Sequence, residues 1–119
     1  MEPLDLIKAE RARQIQEEGF TVEHDDLHTR GEMALAAAVY ATTHEYRHME
    51  LPYPWPWDKK WYKPEPGMEP ENPNPVQARK PSDEGRIKEL VKAGALIVAE
   101  IERIQRTIEA KKAQVQSES

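Results

Sequence analysis

The chain contains no cysteine, which excludes disulfide stapling and thiolate chemistry. It also has no run near the ~18 apolar residues of a membrane-spanning helix. The apolar stretch Ala93 to Ile101 is short and flanked by charges. No charged-then-apolar leader precedes the first helix pattern, so a soluble cytoplasmic protein is expected. Basic charge is in deficit: 17 Lys and Arg stand against 22 Asp and Glu, a formal net charge of -5. That balance argues against general nucleic-acid binding, which depends on neutralising phosphates. Apolar material is scarce as well, with a mean hydropathy of -0.87 and 33% charged residues. A chain of 119 residues with so little to bury forms one domain, residues 1–119, with a thin core, and a thin core favours oligomerisation.

What is present is helical periodicity. From residue 83 to 113 the apolar positions Ile87, Leu90, Val91, Gly94, Ile97, Val98, Ile101, Ile104 and Ile108 step by three and four along one stripe, the mark of an amphipathic helix. Ser82 is placed to cap it, and Asp83 and Glu84 suit the positive end of the helix dipole. About thirty residues make roughly 45 Å of helix, more than the remainder of the chain can cover. Gly94, between Ala93 and Ala95, costs roughly 1 kcal/mol against alanine, which is reasonable where another backbone approaches. The stripe around Gly94 is therefore expected to meet a second subunit, as a homo-oligomer.

A first helix is expected over residues 4–18, entered through Pro3 and stopped at Gly19, with Phe20 folding back. Its face begins apolar at Leu4 and Ile7 and turns polar through Arg11, Gln14 and Glu18, so its end either meets solvent or lines a polar pocket. A loop follows in which Glu23-His24-Asp25-Asp26-Leu27-His28 sets three acids and two histidines in six positions. Such a cluster can bind a divalent metal, orient a ribose hydroxyl or cap the next helix. Thr29-x-x-Glu32 reads as a capping box for a second helix over residues 29–48, whose alanines imply close contact with the small residues around Gly94.

Residues 51–63, LPYPWPWDKKWYK, hold five of the eight aromatic residues, and the prolines keep them extended. Trp55, Trp57 and Trp61 beside Lys63 can stack bases and neutralise phosphate, or can roof a small core. Residues 64–81 are proline-rich and polar, with Lys63-Pro64 recurring as Lys80-Pro81 as if a flexible piece had been inserted. His44-Glu45-Tyr46-Arg47-His48 matches a zinc-protease pattern. It is set aside because no third ligand follows and a proline break is close. Glu100, inside the apolar part of the last helix, requires a partner, expected to be Arg11 or His28. Glu102 and Arg106 read as an ordinary surface pair.

The blocks Glu10-Arg11 with Arg13-Gln14, Glu18-Gly19-Phe20, His24-Asp25-Asp26 with His28, Trp55-Pro56-Trp57-Asp58 and Lys92-Ala93-Gly94-Ala95-Leu96-Ile97 with Ala99-Glu100-Ile101-Glu102-Arg103 resemble a family of small all-helical phage and prophage proteins. The resemblance covers nearly the whole chain except Glu65 to Lys80, and Phe20 stands where a tryptophan is common. It implies a host-cytoplasmic, phage-related setting and does not imply a reaction.

The expected fold is therefore all-α: three main helices joined by a long Trp/Pro-rich connection. The leading expectation is a pocket between helices for a nucleotide-like ligand. Arg11, Gln14, His24, Asp25, Asp26, His28, Trp55, Trp57, Trp61, Lys63, Arg86 and Glu100 are its candidate binding residues, with no cofactor. Small phage proteins that sequester bacterial immune nucleotides are similar in size and residue chemistry. One alternative is a Mg²⁺-dependent enzyme similar to the all-α nucleoside triphosphate pyrophosphohydrolases, with Glu18, Asp25, Asp26 and Glu100 as metal ligands. Of that family's paired motifs only Glu23-x-x-Asp26 is a partial match. The other is a protein that binds a host factor through its aromatic segment, without a small ligand.

Overall fold

The computed structural model describes residues 2–42, 55–57 and 82–118. The described residues form four helices and no strand: α1 (Pro3–Glu17), α2 (Val22–Leu27), α3 (Glu32–Ala41) and α4 (Asp83–Glu118). The all-α expectation holds. The pattern read as a zinc-protease motif, most of the aromatic segment and the proline-rich insertion lie outside the described residues.

Each boundary has a local cause. Pro3 occupies the first turn of α1, where its missing N–H costs nothing. Gly19 closes the helix in the left-handed region at φ 73, and the Phe20 N–H returns to the Gln14 carbonyl at 3.0 Å. The segment read as a loop is a short helix instead. Thr21 Oγ1 accepts from the His24 N–H at 3.3 Å, and Glu23 and Asp25 fall in the first turn, so capping and dipole act together. The second long helix starts later than the capping-box pattern suggests. Its N-cap is Gly31 at φ 80, and Glu32 reaches back to the Arg30 N–H at 2.7 Å, leaving Thr29 outside. Thr42 ends it, its hydroxyl donating to the Ala38 carbonyl at 2.7 Å. For α4 the Ser82 cap is as expected, its hydroxyl accepting from the Gly85 N–H at 3.0 Å. The helix runs on to Glu118 rather than ending near 113.

The core is small-residue packing between α3 and α4. Met33, Ala36, Ala37 and Tyr40 meet Ala93, Leu96 and Ala99, with Phe20 closing one end and Trp55 and Trp57 lying over it. Alanine faces let two helix axes approach closely, so the alanines serve the contact expected of them. Gly94 serves a different contact. A Cβ at that position would come within 2.8 Å of Ile7 Cδ1, so its bare backbone accommodates α1 of the same chain.

The opposite face of α4 is apolar and open. Ile87, Leu90, Ile97, Ile101, Ile104 and Ile108 are each about half exposed, and Val115 more so. From Thr107 to Glu118 every residue is exposed. That last third of the helix reaches past the other described helices, and a dozen residues are marginal as a helix without packing support.

If the Ile7 contact is what holds Gly94, Gly94→Ala in an Ile7→Ala background stabilises the protein by about 1 kcal/mol, the helix-propensity gain alone. In the wild-type background the same change gains less, because Ile7 must shift. Urea unfolding of the two single variants and the double variant measures the difference.

Candidate functional site

Two adjoining groups of side chains lie where α1, α2, α3 and α4 converge. The first is a polar chain built on Arg11. This residue falls on the inward face of α1 and is buried, so its guanidinium needs partners on several sides. Nη2 donates to Asp25 Oδ2 at 2.6 Å, Nη1 to the Phe20 carbonyl at 3.2 Å, and Nε to Glu102 Oε1 at 3.2 Å. Asp25 has no exposed side-chain surface. Its second oxygen, Oδ1, lies 2.9 Å from His24 Nδ1. His24 and His28 meet through their Nε2 atoms at 3.2 Å, and His28 Nδ1 lies 2.9 Å from Glu32 Oε2. Burial raises the Glu32 pKa, but the hydrogen bonds from His28 and the Arg30 N–H outweigh it, and the carboxyl sits below its usual value.

The second group is an aromatic cleft. The Phe20 ring stacks on His24 at 4.6 Å. Trp57 stands edge-on to His28 at 5.4 Å and perpendicular to Trp55 at 5.5 Å, and Trp55 is perpendicular to Tyr40 at 5.4 Å. Glu10, Arg13, Gln14 and Glu18 of the α1 end form the polar wall, with Lys92 and Leu96 from α4 opposite. Arg13 clamps the two acids, donating to both oxygens of Glu10 at 2.6 and 2.7 Å and to Glu18 Oε1 at 3.0 Å. Those carboxylates, Glu10 first, raise the Arg13 pKa further above its already high value. The enclosed space is about 20 Å³, room for about one water. Two buried polar atoms lining this cleft have no hydrogen-bond partner among the described residues: Gln14 Oε1, an acceptor, and Trp57 Nε1–H, a donor.

The candidate residues from the sequence divide accordingly. Arg11, Gln14, His24, Asp25, His28, Trp55 and Trp57 are brought together. Asp26 points away to Arg106 Nη2 at 2.8 Å. Arg86 sits at the C-terminal end of α3, donating to the carbonyls of Tyr40 and Thr42 at 2.9 and 3.4 Å and to that of Ala41. There it satisfies carbonyls that the helix end leaves open. Glu100 pairs with Arg103 at 2.6 Å, its neighbour on α4, in place of Arg11 or His28. The Glu102–Arg106 pair is not formed, since Glu102 goes to Arg11 and Arg106 to Asp26. Trp61 and Lys63 lie outside the described residues. Glu10, Arg13, Phe20, Tyr40 and Lys92 also line this cleft and were not among the candidate residues from the sequence. The spacing Glu10, Arg13, Gln14 places all three within one turn of α1, and that was a usable signal.

Compared with protein-family models, characterised proteins and solved structures, the chain matches none. No described helix is long and apolar enough to cross a membrane.

The buried ion pair sets the stability of the polar chain. Asp25→Ala leaves the Arg11 charge enclosed and is expected to cost about 3–5 kcal/mol. Glu102→Gln, at a half-exposed carboxylate, is expected to cost less than about 1 kcal/mol. Chemical denaturation of both variants distinguishes this order from its reverse.

Proposed function

We propose that the protein binds the heterocyclic part of a nucleotide-type ligand in the aromatic cleft and retains it without cleavage. The observation that carries this reading is the pair of unsatisfied buried atoms on the cleft walls. Leaving such atoms unpaired costs about 1–3 kcal/mol each. An acceptor and a donor together match the edge of a base that offers an exocyclic amine beside a ring nitrogen. Stacking on Trp55, Trp57 or Tyr40 supplies roughly 1–3 kcal/mol per base. Two acids, Glu10 and Glu18, face two cations, Arg13 and Lys92, so the wall is close to neutral and suits a base better than a polyphosphate. The cleft has room for about one water, so a base enters by parting the indoles from the α1 wall.

Retention is favoured over hydrolysis by where the carboxylates go. Glu18 pairs with Arg13, Asp25 with Arg11, Asp26 with Arg106 and Glu100 with Arg103. A Mg²⁺ enzyme built on these four acids would have to release each from a different arginine. In a phage-encoded chain, retention of this kind would remove a bacterial immune signalling nucleotide. Equilibrium dialysis with a panel of nucleosides and cyclic nucleotides tests the site. Gln14→Leu and Trp57→Phe are each expected to weaken binding about tenfold or more. Unchanged affinity in both variants would place the ligand elsewhere.

The exposed face of α4 is assigned to a second copy of the chain. In an antiparallel pairing, Ile101 meets the partner's Ile104, Ile97 meets the partner's Ile108, and Leu90 meets the partner's Val115. Gly94 is covered by Ile7 of α1, so the seam runs over the large apolar side chains on either side of it, and Lys111 lies opposite that covered point. A parallel pairing would instead stack Lys111 on itself. Seven side chains from each copy present on the order of 1,200 Å² together, the lower end of what stable interfaces bury. Sedimentation is expected to show a dimer that Ile104→Glu dissociates. A mixture of Leu90→Cys and Val115→Cys chains should cross-link where neither does alone. A monomer at every concentration would leave this face to a different protein.

A further inference from the structure

The polar chain through α2 contains one contact that neutral groups do not satisfy. Asp25 and Glu32 accept at the Nδ1 atoms of His24 and His28, each at 2.9 Å, so both rings carry their proton on Nδ1. In a neutral imidazole the other nitrogen is then a bare lone pair. These two Nε2 atoms face each other at 3.2 Å. Lone pairs at that separation repel, so the arrangement calls for a positive charge between them: a shared proton or a metal ion.

We propose that His24 and His28 form a two-histidine site for a divalent transition metal of the zinc class. Four features support it. Nitrogens bound to tetrahedral zinc at about 2.0–2.1 Å stand about 3.3 Å apart, close to the separation found here. Each ligating ring is held from behind by a carboxylate, the arrangement that fixes tautomer and orientation in metal-bound histidines. Imidazole is the ligand suited to zinc, copper and nickel rather than to magnesium or calcium. The two side chains keep 28% and 22% of their surface exposed, so water can complete the coordination. Asp25 and Glu32 stay behind the rings rather than on the ion, and among the described residues no three His, Asp or Glu groups are arranged to hold a metal. The protein contribution is therefore two nitrogens, and the remaining positions are open.

The site is independent of the aromatic cleft, although Trp57 borders both and its ring centroid lies 5.4 Å from His28 and 6.2 Å from His24. That proximity gives an optical readout, since Cu²⁺ held between the imidazoles quenches Trp57 emission. The test is calorimetric titration of the metal-free full-length chain with zinc chloride just above neutral pH, repeated with Cu²⁺ by fluorescence. The expected result is one metal per chain. His24→Gln and His28→Gln should each weaken binding at least tenfold, and Glu32→Gln, which removes only the His28 support, should weaken it less. His44→Gln and His48→Gln serve as controls and should bind as the wild type does. Helicity by circular dichroism shows whether the His24 and His28 variants remain folded. If they do not, zinc-induced shifts of both Nε2 resonances in the ¹⁵N spectrum of the wild-type chain decide the point. Absence of zinc binding, affinity unchanged in both the His24 and His28 variants, or loss that follows His44 and His48 instead would overturn the proposal.

Discussion

A single guanidinium holds together the end of this protein where α1, α2 and α4 meet. Arg11 projects from α1 into the space between α2 and α4, and one planar group contacts an acid on each of those helices and the backbone carbonyl of Phe20 between them. Arginine is suited to this because its donors sit in a fixed fork and its charge is not lost on burial. The arrangement explains why so short a helix as α2 persists. Six residues cannot sustain a helix by propensity, but Asp25 is anchored by Arg11 on one oxygen and by His24 on the other. The Phe20 ring stacked on His24 and the Trp57 ring, which touches both, complete the packing.

Everything else rests on α4, which has two apolar faces with different partners. One face, lined by Ala93, Leu96 and Ala99, takes α3, and Gly94 takes Ile7 of α1. The other, from Ile87 to Val115, is left open by the described helices. A helix of 36 residues is roughly 54 Å long at 1.5 Å per residue, and the shorter helices cover only part of it. The thin core and the exposed stripe are thus one fact seen twice: this chain buries little by itself because much of its apolar surface faces outward. The aromatic cleft lies on the side of α4 that is covered, away from the open isoleucine face.

The parts legible in the sequence were those fixed by local chemistry. The helical period of α4, its Ser82 cap, the Pro3 start and the Gly19 stop all follow from residue spacing or backbone preference, and the all-α fold follows with them. The errors came from choices that tertiary context makes. Thr21 and Thr29 are both plausible caps, and only the anchoring of Asp25 shows why Thr21 is used and a helix forms where a loop was expected. Glu100, Glu102 and Arg106 have several partners within reach on a helical net, and the approach of α1 and α2 decides among them. Gly94 is expected from the sequence to meet another backbone, but what packs against it is the Ile7 side chain of α1. Of the candidate residues proposed from the sequence, Arg11, Gln14, the His-Asp core and the two indoles are brought together by the fold. The sequence did not distinguish side chains locked in ion pairs from those with unsatisfied atoms, because that difference exists only after folding.

The central claim is that the cleft between α1 and the Trp55–Trp57 segment retains a base-bearing ligand intact. The most direct measurement is retention: the protein is incubated with a nucleotide and cyclic nucleotide panel, filtered, and then heat-denatured, with chromatography of both fractions. The account predicts a ligand depleted from the filtrate and recovered chemically unchanged after denaturation. A ligand recovered as a hydrolysis product, or a panel that passes entirely into the filtrate, would contradict it.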